Sequence, residues 1–176
     1  MSSVALVSVL GTDRVGLVAS IADYLFSAGV NLRDTTFATL GSGAEFVAVC
    51  EIPDGVTARE IEAGLSRLPD LEGAEVRAMP YAFDPEPGTA GRVTHRITVS
   101  GGDQLGLVAR LSEVFKQYGA NIVRLEARKL SQEEGGLYIT RFAVSVGDDR
   151  ASACLATVAN TAGALGMSHE VEASAF

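Results

Sequence analysis

No stretch of this chain approaches the roughly 20 consecutive apolar residues needed to span a bilayer. The first residues, Met1, Ser2, Ser3 and Val4, lack the basic start and small-residue cleavage site of a secretory leader. These two absences set a cytoplasmic expectation, with no membrane partner. Cysteine is scarce: Cys50 lies in an apolar strand-like run and Cys154 on an apolar helical face. Neither has a Cys or His nearby at metal-ligand spacing. They read as small buried hydrophobes, and no metal or cofactor is expected. Only two histidines occur, His95 at a strand start and His169 in the last strand, so general acid–base chemistry has few candidates. Basic residues are few and scattered, and the formal net charge is −8. An acidic chain without a Lys/Arg cluster is repelled by phosphate backbones, which argues against direct nucleic-acid binding.

A substantial core can be built, since 47% of the residues are hydrophobic and 20% are charged. The dominant signal is an internal repeat. Asp13-Arg14-Val15-Gly16-Leu17-Val18-Ala19 aligns with Asp103-Gln104-Leu105-Gly106-Leu107-Val108-Ala109, a displacement of 90 residues. The same displacement carries Gly29-Val30-Asn31-Leu32 onto Gly119-Ala120-Asn121-Ile122 without a gap. Each motif follows a β-rich run, Val4 to Leu10 and Arg96 to Ser100. Each precedes a helical pattern, with Val15, Val18, Ala22 and Leu25 in one repeat and Leu105, Val108, Leu111 and Phe115 in the other. Asp13 and Asp103 are expected as N-caps, and Gly29 and Gly119 as helix terminators.

Two extended runs follow each helix. The first pair turns at Gly41-Ser42-Gly43, the second around Glu133-Glu134-Gly135-Gly136. Second helices are expected over Thr57–Leu68 and Arg150–Leu165, then closing strands over Ala74–Met79 and Met167–Glu172. Each unit therefore reads β-α-β-β-α-β, an α+β, ferredoxin-like arrangement. Right-handed crossovers place both helices on one face of a four-stranded antiparallel sheet. The expected organisation is module 1 over 1–80, a linker over 81–92 holding Pro85, Pro87, Gly88 and Gly91, and module 2 over 93–176. Two such modules can shield their open edges by pairing within the chain or in a homodimer.

The strand-to-helix turn offers unpaired amides and a positive helix end, a natural seat for a carboxylate. Gly16 and Gly106 permit close approach, and Asn31 and Asn121 each carry a donor and an acceptor. Simple capping, helix–sheet packing and turn chemistry would account for the same residues. Other features read plainly. Glu133-Glu134 suits a solvated hairpin, and Asp148-Asp149 suits a helix start. Gly101, Gly102 and Gly106 lack the Lys-Ser/Thr ending of a P-loop. Arg124 and Arg128 point the same way along one strand, as a solvated stripe or a contact for an acidic partner.

The D-R-x-G-L-V-A pattern followed by G-x-N resembles the ACT domain, and the resemblance runs through nearly the whole chain, twice. Two such modules resemble the glycine cleavage system transcriptional repressor family. The resemblance implies a non-enzymatic regulator that binds a small amino acid, glycine or serine foremost, between modules. It implies a protein partner, such as a transcription factor. It implies ligand contacts from Asp13, Arg14, Val15, Gly16, Leu17 and Asn31 in one module. In the other it implies Asp103, Gln104, Leu105, Gly106, Leu107 and Asn121. Such turns often read D-R-P-G; here Val15 and Leu105 stand in place of the proline, and Gln104 in place of a second arginine. A ligand-independent interaction module and a detached regulatory subunit of an enzyme are the alternatives.

Overall fold

The computed structural model describes residues 3–85, 88, 91–103, 105–131, 133 and 136–174. The chain forms two compact units, Met1–Pro85 and Glu86–Phe176. In module 1 the order is β1 (Ser3–Thr12), α1 (Leu17–Ser27), β2 (Asn31–Leu40), β3 (Gly43–Ile52), α2 (Ala58–Leu65), a 3-10 turn at Pro69–Leu71 and β4 (Glu75–Pro80). In module 2 it is β5 (His95–Gly101), α3 (Leu107–Gln117), β6 (Asn121–Lys129), β7 (Tyr138–Ser145), α4 (Asp148–Ala164) and β8 (Ser168–Ala173). The sheets are antiparallel, with strand orders β2-β3-β1-β4 and β6-β7-β5-β8. This is the βαββαβ architecture expected from the repeat.

Strand alternation gives each sheet one dry face. In module 1, Ala5, Val7 and Val9 of β1 join Phe46, Ala48, Cys50 and Ile52 of β3 beneath Leu17, Ile21, Leu25, Ile61 and Leu65 of the helices. In module 2, Ile97, Val99, Phe142 and Val144 meet Leu107, Leu111, Phe115, Cys154, Val158 and Ala162. Burying one such large side chain contributes about 1.5–3 kcal/mol. Phe115 and Phe142 pack edge-on, with ring centroids 5.1 Å apart.

The helix ends show both agreement and correction. Gly29 and Gly119 have φ of 73° and 64°. Behind them the Val30 N–H donates to the Leu25 carbonyl and the Ala120 N–H to the Phe115 carbonyl, both at 2.9 Å. These are the terminators expected of glycine. The N-caps, by contrast, are Gly16 and Gly106, not Asp13 and Asp103. Likewise Gly147 caps α4, and Asp148 and Asp149 occupy its first turn. The inward stripe of α1 is Leu17, Ile21 and Leu25. Of the residues expected inward, Val15, which precedes the helix, and Val18 are exposed instead, as is Phe26. In α2, Thr57 caps by accepting from the Glu60 N–H while the Glu60 carboxylate accepts from the Thr57 N–H, a reciprocal box.

Candidate functional site

Each repeat motif forms a corner between the first strand and first helix of its module. At corner 1, the Asp13 N–H donates to the Ser42 carbonyl at 3.0 Å, tying the corner to the β2–β3 turn. Gly16 takes φ 90° and ψ −7°, a left-handed conformation that side chains resist. Helical bonding is not complete until the Ser20 N–H reaches the Gly16 carbonyl at 2.9 Å. No side chain caps the helix. Among the described residues nothing accepts from the N–H groups of Val18 and Ala19. These donors sit at the positive end of α1.

Corner 2 repeats the geometry. Gly106 has φ 82° and ψ 8° without a side-chain cap, and the Arg110 N–H bonds its carbonyl at 2.9 Å. Gln104 lies outside the described residues. At both tips an apolar side chain projects fully into solvent: Val15 is 105% exposed and Leu105 100%.

The corners differ in charge. The Lys129 ammonium lies 2.8 Å from the Asp103 carboxylate, so Asp103 is occupied. That carboxylate also holds the lysine above its usual pKa. Thr39 stands at the position of Lys129, 90 residues earlier. Among the described residues, the side chains of Asp13 and Arg14 make no hydrogen bond or ion pair. Along the corner 1 turn, an unengaged carboxylate and guanidinium at Asp13 and Arg14 are followed within six residues by two open amides. The sequence carried no signal for Lys129, which is remote along the chain and reaches Asp103 only through the fold.

The asparagines lie elsewhere. Asn31 pairs with Glu51, which pairs with Val4 at the start of β1, whereas Thr12 at the corner pairs with Gly43. Eight strand residues separate the two ends, roughly 26 Å. Within one module, therefore, Asn31 is not brought to Asp13, Arg14, Val15, Gly16 and Leu17. Its amide donates to the Glu51 carboxylate at 3.1 Å. Asn121 has the same placement, opposite Ser145, and lines an open hollow of about 510 Å³ with Ser112 and Lys116. Leu17 and Leu107 are core residues, buried beneath their helices.

The remaining polar chemistry is quiet. Burial pushes the Cys50 thiol up to about 11 and the Cys154 thiol upward as well, so neither is a ready nucleophile. Among the described residues no three His, Cys, Asp or Glu side chains group to hold a metal ion. No helix among them is long and apolar enough to cross a membrane.

A split βαβ unit with a glycine-opened corner, built twice, defines the class: a tandem ferredoxin-like α+β protein. Residues 3–78, the first of the two modules, match the ACT domain family. It is similar in fold to an unknown protein from Galdieria sulphuraria, with 21% identity, 99% of this chain and 100% of that chain covered, and a TM-score of 0.77. It is also similar to a candidate glycine cleavage system transcriptional repressor, with 15% identity, 98% and 97% covered, and a TM-score of 0.69. No curated protein sequence matches it.

Proposed function

We propose that this chain is a tandem ACT-domain protein, a non-enzymatic regulator that senses a small amino acid, glycine or serine foremost, at corner 1. The observation that carries the reading is the pairing of two uncommitted helix amides, Val18 and Ala19, with the unengaged Asp13 and Arg14. A zwitterion suits that set: its carboxylate takes the amides and the guanidinium, and its ammonium takes Asp13. Corner 2 is the weaker seat, since Lys129 already holds Asp103. Binding would shift the balance between two states only through differential affinity. A protein partner would read that shift, and transcription regulators of amino-acid metabolism are the first partners to test.

The test is a thermal-shift titration of the full chain with each standard amino acid. The expected result is a Tm that rises with ligand concentration for glycine or serine. Asp13→Asn and Arg14→Gln should each abolish the rise. Silence from every amino acid at millimolar concentration rejects the sensor reading.

The exposed apolar side chains Val15, Val18 and Phe26 favour a second reading, a ligand-independent interaction surface. On that reading Phe26→Ser weakens capture of the partner whether or not an amino acid is present.

A further inference from the structure

The face of the module 2 sheet turned away from its helices carries chemistry that corner 2 does not. Ile97, Phe142 and Val144 point into the core. Alternation sends Arg96, Arg141 and Ala143 to the opposite face. The register sets Ala143 between Arg96 of β5 and Arg124 of β6, with Arg141 beside it on β7. Ala143 is 5% exposed and forms the floor. The two flanking strands stand roughly 10 Å apart, the width of two strand spacings. A short side chain between two long ones leaves a notch, and the three arginines, together with Glu126 and Glu172, line a cavity of about 280 Å³.

The arginines are largely uncommitted. Arg96 lies directly opposite Glu172, and Arg141 opposite Glu126. Among the described residues the ion pair made by these five groups is Arg124–Glu126, at 4.0 Å and with both side chains 59% exposed. Such a pair contributes little. In module 1 the positions matching Arg96, Arg141, Ala143 and Glu172 are Leu6, Val47, Val49 and Met79, and Asp34 and Thr36 stand 90 residues before Arg124 and Glu126. The cluster is therefore a property of module 2 and not of the fold.

We propose that this notch binds a small metabolite bearing a doubly charged oxyanion group, gripped by Arg96, Arg124 and Arg141. Guanidinium forks match carboxylate and phosphate oxygens in pairs, and several forks converging on one small space reward a compact dianion. Glu126 and Glu172 line the same cavity and repel extended polyanions, which restricts the site to small ligands. Phosphate esters and dicarboxylates share the required chemistry.

The experiment titrates the full chain with inorganic phosphate and with succinate, each against a chloride control of equal ionic strength. Isothermal calorimetry and thermal shift are the readouts. Saturable binding of either probe, with a rise in Tm, is the expected result. Phosphate alone assigns the site to phosphate esters, succinate alone to dicarboxylates, and both to the shared chemistry. The Arg96→Gln/Arg141→Gln variant, with its fold checked by circular dichroism, should lose affinity by about tenfold or more. Arg141→Lys keeps the charge but loses the fork, and should weaken binding less. No response beyond the chloride control overturns the proposal, as does unchanged binding by the double variant.

Discussion

The two modules share a backbone plan but have parted in three places. In the core, Phe46 and Ala48 of β3 correspond in register to Thr140 and Phe142 of β7, because Val7 opposes Ala48 while Ile97 opposes Phe142. The large ring has moved one inward position along the strand, and a small side chain has taken its place. At the corner, Asp13 is unengaged while Asp103 is paired with Lys129. In charge, residues 1–85 hold 5 basic and 12 acidic side chains, whereas residues 86–176 hold 9 and 10. Core volume is redistributed, whereas surface chemistry is exchanged outright. Packing constrains total volume more tightly than position, while an exposed site changes with little stability cost.

The core exchange supplies the largest test. Phe46→Ala and Phe142→Ala should each destabilise their own module by about 3–5 kcal/mol. If the exchange is a true volume swap, Phe46→Thr should be severe alone and partly rescued by Ala48→Phe, measured by denaturant unfolding. No rescue would mean that the two cores are not interchangeable in plan. Next come the corners. Gly16→Ala and Gly106→Ala force a side chain into left-handed backbone at a cost of about 1–2 kcal/mol each. Unequal costs would break the claimed equivalence of the corners. Thr140 is fully buried, and among the described residues its hydroxyl has no hydrogen-bond partner. Thr140→Val should therefore stabilise module 2 by about 1 kcal/mol.

The smallest effects depend on pH and run in opposite directions. Hydrogen bonds from the Thr57 side chain and backbone hold the Glu60 carboxyl below its usual range. That contribution is present above the ordinary carboxylate pKa and fades as pH falls through the lowered value. The Lys129 pKa is raised by Asp103. Its contribution is present below the ordinary lysine pKa and fades as pH rises through the raised value. Amide exchange should therefore show acid loosening the start of α2 and alkali releasing corner 2.

The repeat and its βαββαβ plan were legible because D-x-x-G-L-V-A and G-x-N recur in one register, and because Gly29 and Gly119 end helices by a purely local device. The capping position was not legible, for an equally local reason. Aspartate favours an N-cap, but a left-handed glycine three residues later starts the helix. Around α1 apolar residues occur on more than one side, so spacing cannot tell Leu17, Ile21 and Leu25 from Val15 and Val18. Only contact with the sheet decides. The gap between Asn31 and Asp13 follows from strand direction. The Lys129–Asp103 pair and the arginine notch follow from cross-strand register, which no local pattern encodes.

The most direct test of the sensing claim is an amide-resolved NMR titration with glycine and with serine. The prediction is that the Val18 and Ala19 amide signals shift on binding while those of Val108 and Ala109 stay in place. Shifts confined to module 2, or no movement between residues 12 and 20 with any amino acid, would contradict it.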